Sequence, residues 1–171
     1  MLTIRATARL LKRANIQPDP APPTSTGRLG DWYANLLILR PTQLVLCVSG
    51  RTLLPVLVPA KDIAGLPQRL ASGAGEVLRA LGVAEGDVRQ ELEHMRDVRF
   101  AKTASRQILG SMNDFAFMLE MGMKLEADTG PRLLLEEALQ LARAPCSPIA
   151  MDSPKKATCA LFSRPTLTVI R

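Results

Sequence analysis

Aromatic side chains are scarce in this chain, with one Trp, one Tyr and four Phe among 171 residues. Aliphatic Leu, Val and Ala must therefore fill the interior. There is one histidine, His94, which argues against a zinc site built on several imidazoles. The three cysteines, Cys47, Cys146 and Cys159, are odd in number, far apart and without C-x-x-C spacing. That excludes a disulfide framework and fits a reducing, cytoplasmic setting. Cys47 reads as a small buried hydrophobe on a strand. No apolar run approaches the length of a membrane span. Also missing are a G-x-S-x-G elbow, a phosphate loop, an H-E-x-x-H helix and a D-x-D carboxylate cluster. A Ser72-Gly-Ala-Gly stretch does not follow a strand and open a helix, so it is no phosphate loop.

What is present is ordinary for a folded protein: 47% hydrophobic and 22% charged residues, enough for one domain with a real core. The net charge is +6, but residues 1–60 hold seven Lys/Arg against two acids and residues 61–171 fifteen against fourteen. No segment has the dense basic run of a phosphate-binding arm, so nucleic acid is not the favoured partner. The first eighteen residues carry four basic residues and no acid. They lack the long apolar middle of a secretory signal and read as a strand followed by a helix.

The stretch Gly30–Ala60 organises the chain. Asp31–Arg40 alternates Trp32, Ala34, Leu36 and Ile38 against Tyr33, Asn35, Leu37 and Leu39, apolar on both faces and hence a central strand. Arg40-Pro41-Thr42-Gln43 supplies a turn, and Gln43–Ser49 a second strand. Leu53–Val58 is a third, and Pro55 places it at an edge or a bulge because proline cannot donate to a ladder. Asp97–Lys102 is a fourth strand, and Leu2–Ile4 a short one. The expected fold is α+β, an antiparallel sheet of four to five strands with a central three-strand meander, covered by several helices.

Helices are expected at Thr7–Ala14, Lys61–Gly82, Glu85–Met95, Ser105–Leu125, Arg132–Ala144 and from Ser153 to about Phe162. Pro67 suits the first turn of the second and Gly82 its C-terminal stop. Ser111-Met-Asn-Asp114 resembles a capping box, so the main helix is expected to restart at Ser111 after Gly110. Trp32 is expected to pack beneath that helix, against Phe115 or Leu119. Residues 17–27, with four of the thirteen prolines, read as a semi-extended surface linker within one domain spanning 1–171. Residues 164–171 are as compatible with a loose tail as with a strand.

Several strings together resemble a known bacterial family: LGDWYANLL from Leu29, RTLLPVLVP from Arg51, AKT from Ala101, GSMNDF from Gly110 and APCSP from Ala144. The chain is similar to domain of unknown function 6933, and the likeness runs from Met1 to Phe162. The resemblance implies a small protein of bacteria, in some cases near or fused to plasmid or mobile-element domains. It implies no activity, cofactor or catalytic residue.

Among apolar segments stand Asn35, Lys102, Arg106, Asn113 and Asp114. A buried Asn or Asp must find partners. Asn35 can bond backbone at a strand irregularity, and Ser111 and Asp114 can cap a helix. Alternatively, Lys102, Arg106 and Asn113 line a cleft for a small anion or nucleotide. The expected role is a non-catalytic binding or regulatory module, whose partner is a protein or a small anionic ligand, with no cofactor, metal or membrane. The alternative is an enzyme or ligand-binding protein acting on a phosphate-bearing or nucleotide substrate, and the third reading is direct DNA binding. Convergence of the five polar residues on one pocket would favour the ligand site.

If the positive charge serves solubility, duplex DNA should bind weakly and without sequence preference at physiological salt. Electrophoretic titration tests this, and sub-micromolar affinity with sequence preference would reverse the ranking.

Overall fold

A computed structural model describes residues 1–39, 42–122 and 131–163 of the chain. The Arg40–Pro41 turn, the end of the main helix at 123–125 and the tail 164–171 lie outside the described residues. The strands are β1 (Leu2–Ala6), β2 (Trp32–Leu39), β3 (Thr42–Ser49), β4 (Pro55–Pro59) and β5 (Val98–Lys102). The helices are α1 (Ala8–Ala14), α2 (Leu66–Ala80), α3 (Glu85–His94), α4 (Arg106–Gly122), α5 (Pro131–Leu141) and α6 (Pro154–Ser163).

The strands form one sheet in the order β4-β3-β2-β1-β5. The meander β2-β3-β4 is antiparallel as expected, with β2 in the middle and the proline-bearing β4 at an edge. The rest of the expected sheet needs correction. β1 pairs parallel with both β2 and β5, so the sheet is mixed. Parallel neighbours need a crossover of roughly a dozen residues or more. Residues 7–31 supply one between β1 and β2, and α2 with α3 carry the chain from the β4 edge across to β5 beside β1. A short alternating strand carries no mark of its partner's direction.

Register assigns the two faces. Ile4, Trp32, Ala34, Leu36, Val45 and Cys47 share a face with Val56 and Val58. α2 covers that face, and it comes so close at Gly73 that a Cβ there would lie 2.6 Å from Val56 Cγ1. Tyr33 is on the opposite face, where its hydroxyl meets the backbone N–H groups of Ala104 and Ser105 just before α4. Trp32 is fully buried on the Ile4 face of the sheet, opposite Tyr33.

Local signals set most helix ends. Pro67 stands in the first turn of α2. Gly82, at φ +85°, donates to Arg79 O while Val83 donates to Leu78 O, the paired bonds of a Schellman stop. Ser153 Oγ accepts the Lys156 N–H at 3.2 Å and opens α6. α4 does not restart at Ser111: it runs unbroken from Arg106, and Ser105 Oγ accepts the Ile108 N–H at 3.2 Å as the actual cap. Ser111 is buried in mid-helix and Asp114 is exposed there, so neither meets free N–H groups.

Residues 17–27 run extended, as their prolines require, and are bonded to the sheet. Asp19 N–H reaches Phe100 O at 2.7 Å and Thr26 N–H reaches Met1 O at 3.1 Å. Thr3 Oγ1 donates to Pro23 O at 2.7 Å, and Ser25 Oγ accepts Thr3 N–H at 2.9 Å. The loop that follows is fixed by Glu91 of α3, which is 3% exposed. Its carboxylate accepts the N–H of Arg28 at 2.8 Å and of Leu29 at 3.1 Å. A Cβ on Gly27 would lie 2.4 Å from Glu91 Oε1, so only glycine leaves room for that carboxylate.

Loss of an ionised partner from buried donors costs about 1.5–3 kcal/mol for each bond's worth of interaction. Glu91→Ala should therefore lower stability by about 3 kcal/mol, measured by urea denaturation. Gly27→Ala should also destabilise, and the double variant should fall well short of the sum because both strike one contact.

Candidate functional site

Arg5 sits mid-strand in β1 on the Tyr33 face, where it would be an unpaired charge against the sheet if nothing answered it. Asp31, just before β2, answers it: Arg5 Nε donates to Asp31 Oδ2 at 2.8 Å, with both side chains about a quarter exposed. Ser25 Oγ donates to the other oxygen, Asp31 Oδ1, at 2.6 Å. Arg5 Nη1 donates to Lys102 O at 3.0 Å and so ties the end of β5 to β1. Burial raises the Tyr33 hydroxyl above its ordinary value and Asp31 adds to this, while Arg5 and the Ala104 and Ser105 N–H groups pull the other way.

Above Arg5 the proline-rich segment stands off the sheet and leaves a cleft of about 560 Å³. Arg5, Asp19, Pro20, Lys102 and Thr103 line it. Lys102 is exposed, and its ammonium has no hydrogen-bond or ion-pair partner among the described residues. Asp19 stands on the proline-rich side, with Oδ1 accepting the Ala21 N–H at 2.9 Å. The cleft thus offers one unpaired cation, a second cation already held by a carboxylate, and acceptor oxygens on the facing side.

Of the five residues read from the sequence, Lys102 lines this cleft. Asn35, half-buried on β2, accepts a hydrogen bond from Thr7 Oγ1 at 2.9 Å. Arg106 opens α4, and Asn113 and Asp114 stand exposed about two turns further along it. None of these four lines the cleft. Asp114 acts instead on Cys146, whose thiol is raised by burial first and by that carboxylate second. Sequence reading passed over Arg5, Asp31 and Tyr33. The signal was a cation inside the apolar strand LTIRA and an acid directly before WYANLLIL.

Other reactive groups are held in structural roles. Glu91 holds a loop, and His94 Nδ1 lies 2.7 Å from Thr26 Oγ1. Cys47 is fully buried, and that burial pushes its thiol up to about 12. Among the described residues no group of three or more His, Cys, Asp or Glu is placed to hold a metal ion, and no helix is long and apolar enough to cross a membrane.

The fold is thus an α+β domain with a mixed five-stranded sheet and a basic cleft beside one edge. The family model described as Domain of unknown function (DUF6933) matches residues 3–157, and the chain belongs to that family. Neither the curated proteins nor the solved structures gave a match.

The Cys47 thiol should stay silent to an aqueous disulfide reagent at pH 8 until the protein unfolds, while the partly exposed Cys159 reacts first. The folded value lies above the ordinary 9.0, so unfolding releases a proton at alkaline pH. Stability should fall as pH rises from about 9 to about 12. A Cys47→Ala variant would lack that component of the slope.

Proposed function

We propose that the protein is a non-catalytic binding module whose ligand is a small phosphate-bearing molecule with hydroxyl groups, a nucleotide or a sugar phosphate. Lys102, which borders the 560 Å³ cleft and whose ammonium has no partner among the described residues, carries this reading. A lysine is a compact point charge suited to phosphate, and the nearby Arg5 guanidinium adds to the positive field. Asp19 faces them from the proline-rich segment and offers acceptors to ligand hydroxyls. Asn113 and Asp114 have no part in this reading.

Binding without chemistry is favoured because Asp31, the acid beside Arg5, already has structural partners on both oxygens. Asp31 is held by Arg5 and Ser25, and a general base needs a lone pair free to take a proton. The rival reading, a phosphate-processing enzyme, would need Asp19 to serve as that base.

A thermal-melt panel of nucleotides and sugar phosphates tests the proposal. A ligand at a hundredfold its Kd stabilises by about 2.7 kcal/mol, a rise of roughly 5–10 °C for a chain of this size. Lys102→Ala should melt like wild type without ligand and lose the rise. If no panel member shifts the wild type, or if Lys102→Ala keeps the shift, the proposal falls. Turnover of a bound ligand, abolished by Asp19→Asn, would support the enzyme instead.

A further inference from the structure

Met112, Phe115 and Leu119 of α4 are buried. At about 100° per residue, Arg106, Gly110, Phe117 and Met121 fall on the opposite face. Phe117 is 63% and Met121 75% exposed, more than any other large apolar side chain among the described residues. Gly110 lies between them and the start of the helix, and a Cβ there would meet nothing within 4 Å. Glycine is costly inside a helix, and in α2 contact explains it: Gly73 lies against Val56 and Gly75 against Leu92. Gly110 has no such neighbour among the described residues. Charge on this face is also unanswered. Arg106 and Glu120 stand exposed on the same flank of it, and neither has an ion-pair or hydrogen-bond partner among the described residues. Arg106 opens α4, where the helix dipole disfavours a cation.

We infer that this face of α4 pairs antiparallel with the same face of a second copy of the chain, about a two-fold axis that passes between Asn113 and Asp114. A two-fold contact is self-complementary, so each residue meets its counterpart an equal distance beyond the axis. Gly110 and Phe117 are equally far from that point, so the Phe117 ring of each copy sits over the open Gly110 of the other. Arg106 falls within one residue of the other copy's Glu120, about 1.5 Å along the helix. The two-fold keeps each flank beside its own copy, so these opposite charges share a side. Asp114 lies toward Cys146, at the rim of the contact. One helix face buries less than the roughly 1,600 Å² of a standard interface, so the pair is a weak, reversible dimer. It neither uses nor requires the Lys102 cleft.

Sedimentation velocity from low micromolar to millimolar protein reads the pairing. Wild type should pass from monomer to dimer with a midpoint in the micromolar range. Gly110→Leu fills the hole without striking its own chain. It should weaken the dimer at least tenfold while the melt of the dilute protein stays at or above that of wild type, because leucine is the better helix former. Phe117→Ser should weaken the dimer to the same degree. Arg106→Glu and Glu120→Arg should each weaken it several-fold at low salt. Both exchanges in one chain should restore it, since the charges again face each other. The inference is overturned if wild type is still monomeric at millimolar concentration, if Gly110→Leu or Phe117→Ser dimerises as wild type does, or if the doubly exchanged chain pairs no more tightly than the single variants.

Discussion

The carboxylate of Glu91 fixes where the central strand begins. By accepting the N–H groups of Arg28 and Leu29, it holds a glycine-bearing loop in the buried space between α3 and the sheet. Leu29, fully buried, then presents its carbonyl to Ser49 Oγ at 2.8 Å, and Asp31 presents its own to Gly50 N–H at 2.7 Å. Ser49 Oγ also accepts N–H groups from Arg51 and Thr52, and Thr158 of α6 donates to Thr52 Oγ1 at 2.9 Å. A chain of buried polar contacts thus links α3, the start of β2, the β3–β4 turn and α6. Such a network specifies one arrangement because every unmet member would be costly in a medium that screens poorly.

The same loop sets the register on which the cleft depends. With β2 started at Trp32, Asp31 falls next to Arg5 of β1, and the ion pair between them leaves Arg5 free to bond Lys102 O as well. At about a quarter exposure that pair contributes modestly, on the order of 1 kcal/mol. Its larger effect is geometric. β1 shows Thr3 and Arg5 on one face and Leu2, Ile4 and Ala6 on the other, so its polar face is unsuited to an apolar helix. An extended proline-rich segment, with carbonyls and hydroxyls to offer, satisfies that face instead. Prolines lower the entropy lost on fixing it. The cleft lies where this segment leaves the sheet, beside the C-terminal end of β5.

The meander, its proline edge and most helix ends were legible in the sequence because each rests on a local rule: two-residue alternation, a missing donor, a first-turn proline, a glycine at positive φ. The direction of β1 and β5 was not legible, since a five-residue strand has the same pattern whichever way its neighbour runs. Ser105 lost to Ser111 as the expected cap because both precede apolar helical spacing, and only the unbroken ladder of α4 distinguishes them. Glu91 reads in sequence as a solvated charge on a helix. Its burial depends on a loop some sixty residues away, and no local pattern records that. For the site, Lys102 stood out by its place after a strand. Arg5 and Asp31 gain meaning only when β1 and β2 are known to lie side by side and parallel.

Two hollows beside the sheet follow from one constraint, that a sheet must not leave its edges open to another chain. β4 carries prolines and lies against α5; β5 has an outer carbonyl taken by Asp19 N–H. In neither case does the cover reproduce the fit of one sheet strand on another. A helix laid along an edge meets the strand side-on and leaves an apolar hollow where side chains of α2, α5 and β4 do not interdigitate. An extended proline-rich segment has few donors with which to follow a ladder, so it touches β5 and then departs, leaving a polar hollow. The character of each space is inherited from its cover: aliphatic under the helix, basic and hydrogen-bonding under the proline segment. A protein that closes its two edges in two different ways is thereby left with two chemically distinct hollows, separated by the width of its own sheet.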